Sequence, residues 1–219
     1  MTFIIAIQTE DSVILAADNI FVLKNKKNIC HEEIMASKIH HWDNGIFTGT
    51  GDYFITDRML NHLLNGNELS SLPSLLEKEK QRRRQQVGQH EQIDVTTLIL
   101  SAQTMHGPRL HIVNSVSVDQ VSPNELLMFF PFGYDFFSVS SKAVRNLNAS
   151  LRSRYSFPNH QEWFDFYTSK FSEIYALQHQ YNPQISKSYH ASFQAKDFSE
   201  TIFMQNGTFI GLKTLNIMH

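Results

Sequence analysis

The chain has 219 residues, 42% hydrophobic and 18% charged, which is enough apolar material for a substantial core and a length that suits one domain spanning 1–219. Its formal charge of -2 argues against nucleic acid as a partner, because polyanion binding draws on a cationic surface. The single cysteine, Cys30, excludes an intrachain disulfide and a multi-thiolate zinc site and fits a reducing compartment.

Residues 3–8 and 12–17 are rich in Ile, Val and Ala and flank the polar "TED", which predicts a β-hairpin with a tight loop. The opening "FIIAI" is too short for a signal-peptide core and runs into Glu10 and Asp11, and no stretch approaches the roughly 20 apolar residues of a membrane span. The expectation is a soluble, cytoplasmic protein with no membrane partner. A polar segment from Lys24 to Glu33 precedes "IMASKIHHW", and "GIFTGTG" reads as a strand ending in two glycines.

From Asp52 to Leu64 the apolar Ile55, Met59, Leu60, Leu63 and Leu64 recur at helical spacing, with Gly66 as the stop. A second helix runs through "LPSLLEKEKQRRRQQ", capped by Ser70 or Ser71, with Pro73 in its first turn and Gly88 at its end. Its basic run, Arg82 to Arg84, follows Glu77 and Glu79 and reads as a solvated helix face or a subunit contact.

Two alternating runs, "DVTTLILSAQ" and "RLHIVNSVSV", form a second hairpin around "TMHGP", and "NELLMFFPFG" predicts a further strand. Two helices follow, in "SVSSKAVRNLNASLRSR" and "QEWFDFYTSKFSEIYALQHQ". The aromatic Trp163, Phe164, Phe166, Tyr167 and Phe171 of the latter, like "MFFPFGYDFF" before it, are most simply core or interface. Near the end, Asn206-Gly207 between apolar runs marks a type I′ hairpin turn. His31, His40 and His41 lack thiolate or carboxylate partners at ligand spacing and read as surface histidines.

Strands, two helices, strands, two helices and strands again make an α+β chain whose two mainly antiparallel sheets stack face to face under helix pairs, a four-layer αββα sandwich. Several pieces lie in the order found in proteasome β-type subunits: Thr2 opening the first strand, "LAAD" from Leu15 to Asp18, "SKI" from Ser37 to Ile39, "FTGTGD" from Phe47 to Asp52, and "GPRLHIV" from Gly107 to Val113. The chain thus resembles a bacterial proteasome-like peptidase of the N-terminal-nucleophile hydrolase superfamily, with motif support over little more than its first half.

The resemblance implies a catalytic Thr2, freed by removal of Met1, that attacks a peptide carbonyl. A threonine hydroxyl needs a base, and an N-terminal threonine carries one, since its α-amine has an unperturbed pKa of roughly 7.7 to 8.0. Lys38 matches the family's buried lysine, whose charge lowers the pKa of that amine, and Asp18 matches the carboxylate that pairs with it. The backbone N–H of Gly49 is the matching oxyanion donor. The substrate implied is an extended peptide or unfolded protein, bound by strand addition, with no metal or organic cofactor. Assembly into a homo-oligomeric ring or a related form is also implied, with room for an ATPase partner. Two alternatives stand beside this reading: a noncatalytic structural or assembly subunit, and a small-molecule amide hydrolase of the same superfamily.

Overall fold

The computed structural model describes residues 2–24, 29–33, 37–131 and 141–214, with side chains described for 2–20, 37–131 and 142–211. Alternation along the first strand organises the rest. In β1 (Ile4–Gln8), residues Ile5 and Ile7, together with Phe3 just before it, join one core, while Ile4 and Ala6 join another. A strand buried on both faces needs apolar residues at every position, which is why the opening run is continuously hydrophobic.

β1 lies inside a six-stranded sheet of order β10-β1-β2-β11-β12-β13, made with β2 (Val13–Asp18), β10 (Glu125–Phe129), β11 (Tyr189–Ala195), β12 (Phe198–Gln205) and β13 (Thr208–Thr214). A five-stranded sheet follows the order β5-β6-β7-β8-β9: β5 (His40–Trp42), β6 (Gly45–Thr50), β7 (Thr97–Thr104), β8 (Gly107–Val113) and β9 (Val118–Gln120). A two-stranded ribbon pairs β3 (Ile20–Lys24) with β4 (Ile29–Glu33). Every pairing is antiparallel.

Three apolar clusters separate four layers. Between the sheets lie Ile4, Ala6, Val13, Leu15 and Ala17 against Ile39, Ile46, Ile99 and Leu110. The outer face of the five-stranded sheet, with Phe47, Leu98 and Leu100, is covered by α1 (Tyr53–Leu64) and α2 (Leu72–Val87) through Ile55, Met59, Leu63, Leu72 and Leu76. The outer face of the six-stranded sheet is covered by α4 (Ser141–Asn148) and α5 (His160–Tyr181), and Trp163, Phe164, Tyr167 and Phe171 lie in that core as expected. Phe166 packs at its margin. The class is therefore α+β, a four-layer sandwich.

Local chemistry accounts for the helix ends. Asp52 caps α1 by accepting Ile55 N–H at 3.2 Å, and its other oxygen takes Arg83 Nε at 3.0 Å. Ser71 occupies the N-cap of α2, but its hydroxyl donates to Glu68 O at 2.7 Å and so does not cap it. The basic run is neither idle nor wholly solvated: Arg84 bridges Glu77 and Asp94, and Arg83 stacks on Phe54 at 4.4 Å. The Asn206-Gly207 turn has φ of 50° and 83°, the two left-handed residues a type I′ turn requires.

Four elements were not anticipated. β4 lies within the segment read as polar and β3 runs up to its first residue, the short α3 (Glu91–Asp94) precedes β7, and β11 forms the middle of the six-stranded sheet. "RLHIVNSVSV" is not one strand, because Asn114 turns the chain by accepting from Val116 N–H at 2.7 Å and Ser117 N–H at 3.0 Å, which separates β8 from β9. The side chains of His31 and Cys30, and the segment with Tyr134, lie outside the described residues.

Candidate active site

The β1-β2 hairpin closes at its open end through a side chain. Asp18 N–H donates to Phe3 O at 3.2 Å, and Phe3 N–H donates back to Asp18 Oδ1 at 2.8 Å. The carboxylate is thereby held beside the residue that follows Thr2, which is itself half-buried. Asp18 Oδ2 accepts Ile20 N–H at 3.2 Å, which turns the chain from β2 into β3.

Lys38 completes the cluster from the segment that leads into β5. Its Nζ donates to Asp18 Oδ1 at 3.1 Å and to Ile20 O at 2.5 Å. Side-chain exposure is 8% for Lys38 and 1% for Asp18, so the pair is shielded from solvent. Burial holds the Lys38 ammonium below its ordinary value, and the charge and hydrogen bond of Asp18 oppose that shift. One carboxylate oxygen thus serves both the Phe3 amide and the Lys38 ammonium. This brings Asp18, Lys38 and the start of β1 together across 20 and 15 residues of sequence separation.

Gly49 lies on the neighbouring strand. Phe47 stands opposite His40 in the β5-β6 register, so the same register carried two residues further sets Gly49 opposite residue 38. Asn44 O accepts Gln103 N–H at 2.8 Å from β7, and Ile46 N–H donates to Ser101 Oγ, also on β7, at 2.9 Å. Alternation then turns the main-chain groups of residues 45, 47 and 49 to the opposite edge, toward β5 and residue 38. The absence of a side chain has its own cause: a Cβ at Gly49 would sit 2.9 Å from Thr56 Cγ2 and 3.1 Å from Thr97 O, so glycine is needed for α1 to rest on the sheet. Gly51, at φ +89°, allows the chain to turn against Thr96 and enter α1.

Three participants carried no sequence signal strong enough to single them out. Thr48, buried in β6, donates its hydroxyl to Lys38 O at 2.9 Å and ties the Lys38 backbone to the sheet. A polar residue inside the run "GIFTGT" was the available clue. Tyr175 on α5 reaches Phe3 O with its hydroxyl at 3.4 Å, packs edge-on against Phe3, and stacks on Tyr189 with centroids 4.4 Å apart. Burial, then the nearby Asp18 charge and Tyr189, push the Tyr175 hydroxyl well above its usual range. Asn19, fully buried, pairs with His190 at 2.8 Å. Nor is His41 a surface histidine: its Nε2 lies 2.8 Å from Thr201 Oγ1 in the gap between the sheets. Among the described residues no group of three or more His, Cys, Asp or Glu side chains is arranged to hold a metal.

The fold recurs in solved structures. Anbu (ancestral beta-subunit) from Yersinia bercovieri superposes with a TM-score of 0.60 at 12% identity, over 88% of this chain and 81% of that one. Anbu from Pseudomonas aeruginosa, solved as a helical assembly of the Anbu complex, gives 0.61 at 11% identity over 93% and 86%. A Gly-1 mutant of Anbu from Hyphomicrobium sp. strain MC1 gives 0.55 at 13% identity over 98% and 88%. The chain has the fold of Anbu. No protein-family model matches it, and no curated protein does.

These findings correct the family expected from the sequence. The structural neighbours are Anbu proteins, proteasome-like but distinct, and nothing at the sequence level supports assignment as a proteasome β-type subunit or N-terminal-nucleophile hydrolase. The physical reason lies in what the short motifs encode. "LAAD" and "SKI" supply the two halves of a corner bond, the first glycine of "FTGTGD" admits α1, and its aspartate caps that helix. Such residues specify an architecture, which the Anbu fold shares, and not a branch within it. Among the described residues, no helix is long and apolar enough to cross a membrane.

Proposed function

We propose that this chain, as one domain over 1–219, is a subunit of an Anbu-like assembly that hydrolyses peptide bonds with Thr2 as nucleophile once Met1 has been removed. The observation that carries the reading is the shared oxygen of Asp18, which holds the Lys38 ammonium and the Phe3 amide at one point beside Thr2. In the proposed reaction, Thr2 Oγ forms a bond to the substrate carbonyl carbon while its proton passes to the neutral α-amine of the same residue. The N–H of Gly49 donates a hydrogen bond to the developing oxyanion, and Lys38 adds positive charge nearby. Collapse breaks the C–N bond, with the α-ammonium proton going to the leaving nitrogen, and water then hydrolyses the ester to release the acid and restore Thr2. The cation of Lys38 also disfavours a second charge on the α-amine, which keeps more of that amine in its basic form.

The assembly reading draws on the Pseudomonas aeruginosa neighbour, which forms a helical assembly. Self-association into a ring or a related form follows by analogy, with unfolded protein as substrate and an ATPase as feeding partner. The test uses protein whose intact mass shows Thr2 as first residue. Thr2→Ala is expected to lower peptide cleavage by about 10³-fold or more, and an unchanged rate would refute the proposal. A second reading, a noncatalytic assembly subunit, is favoured by the fact that every bond of the Asp18-Lys38 corner also closes the fold. It is selected if Thr2-terminal wild-type protein cleaves nothing.

A further inference from the structure

The inward face of β11 is polar where that of β2 beside it is apolar. His190, Ser192 and Gln194 stand opposite Ala17, Leu15 and Val13, three members of the inter-sheet core, and all three polar residues are buried. Each meets a different element. His190 Nδ1 lies 2.8 Å from Asn19 Oδ1, directly after Asp18. Ser192 Oγ lies 2.6 Å from Thr201 Oγ1 on β12, which lies 2.8 Å from His41 Nε2 on β5. Gln194 Oε1 accepts from Ser101 Oγ, which in turn accepts Ile46 N–H at 2.9 Å.

The middle rung crosses from one sheet to the other at a place that matters for Lys38. β5 is an edge strand of three residues, His41 is its centre, and it begins two residues after Lys38. The backbone of Lys38 therefore moves with the five-stranded sheet, while its ammonium must meet Asp18 on the six-stranded one. Apolar contacts such as that of Ile39 are non-directional and permit sliding, whereas hydrogen bonds set direction and distance closely. We infer that the Ser192-Thr201-His41 chain holds β5 in register against the facing sheet, and that Thr201 and His41 are positioning residues for Lys38. The consequence for catalysis rests on the reading of Lys38 proposed above; the consequence for the place of its ammonium does not.

Thr201→Val keeps the shape of the side chain and removes its hydroxyl, and Thr201→Ser keeps the hydroxyl. Acetic anhydride labelling at neutral pH, read by peptide mass spectrometry, reports how far the Lys38 amine is sheltered. Lys80 serves as the internal control, because it is also shielded from solvent but is held on the outer helix layer by Asp94 O at 2.9 Å. Thr201→Val is expected to raise Lys38 labelling several-fold with Lys80 unchanged, and to lower kcat about tenfold at constant KM. Thr201→Ser should stay near wild type in both measurements. Wild-type labelling of Lys38 in Thr201→Val, or a parallel rise at Lys80, overturns the inference. Selective exposure of Lys38 in a protein that cleaves no peptide leaves the inference standing and removes the proposed function. Should Thr201→Val fail to fold, His41→Leu against His41→Gln repeats the comparison from the opposite sheet, and equal Lys38 labelling in those two overturns it.

Discussion

The carboxylate of Asp18 takes three hydrogen bonds, from Phe3 N, Ile20 N and Lys38 Nζ. Asn keeps one acceptor oxygen for Phe3 N–H but turns an amide nitrogen toward Ile20 N–H, so Asp18→Asn removes the charge and one backbone bond together. The substitution leaves the buried Lys38 ammonium facing a neutral amide, and a broken buried pair costs about 3–5 kcal/mol. Urea denaturation is expected to show that loss, and a change below about 0.5 kcal/mol would mean the pair is not coupled to folding. Burial already depresses Lys38, and removing the opposing Asp18 charge lowers it further. Below that lowered value the fold carries a buried cation, so stability should rise with pH from there up to about 10.4. Asp18 and Lys38 were both legible in short motifs, but their bond was not, because nothing local connects positions 20 residues apart. Tyr175 was unreadable for the same reason in stronger form: its hydroxyl partner, Phe3 O, lies 172 residues away, and its ring looks like any other core aromatic.

At the scale of elements, α1 sits where Gly49 lets it sit. Gly49→Ala is expected to destabilise the protein by about 1–3 kcal/mol, the range for overpacking a close contact. Removing the Thr56 methyl in a Gly49→Ala/Thr56→Ser double variant should recover part of it, though Thr97 O remains at 3.1 Å. Additive losses in thermal melts would show that the helix contact is not the cause. The turn between β1 and β2 is tied to the segment between α4 and α5: Asp11 accepts from Ser153 Oγ at 2.7 Å, Arg154 N at 2.8 Å and Tyr155 N at 3.1 Å. Burial works to raise this carboxyl, and those bonds together with Thr9 overcome it and hold it low. Its contribution is therefore present above the unfolded value near 3.9 and is lost as pH falls through the depressed one. Asp11→Asn should flatten that part of the acid-unfolding curve. The hairpins were legible because alternation and turn residues are local, and so were the long helices. β11 escaped because its inward positions are His190, Ser192 and Gln194, so that both faces of the strand cannot be read as apolar even though both are buried.

At the scale of the whole molecule, the largest aromatic cluster lies under α5, and three of its members are tyrosines whose hydroxyls are shut away from water. Burial leads in each case: Tyr167 is pushed up to about 12, Tyr189 is pushed higher, and Tyr175 is held well above its usual range. A raised folded value means that the stabilising contribution is complete below the unfolded value near 10 and is lost as pH climbs through the folded one. Stability should therefore fall above about pH 10, by up to about 4 kcal/mol per pH unit with three groups engaged. Part of the tyrosinate absorbance should appear only together with the loss of circular dichroism, because Tyr53, Tyr155 and Tyr181 are exposed and Tyr167, Tyr175 and Tyr189 are not; ionisation of all seven tyrosines before the fold is lost would contradict it. Composition, periodicity and turn chemistry were sufficient for the α+β class, both outer helix pairs and most strands, because each is written in side chains a few positions apart. The corner of Phe3, Asp18 and Lys38, the inter-sheet rung through His41 and Thr201, and the Anbu fold in place of the family first expected emerged only once the layers were stacked. Contacts between sheets pair residues whose separation along the chain carries no signal, and burial turns polar side chains that look solvent-bound into internal ties.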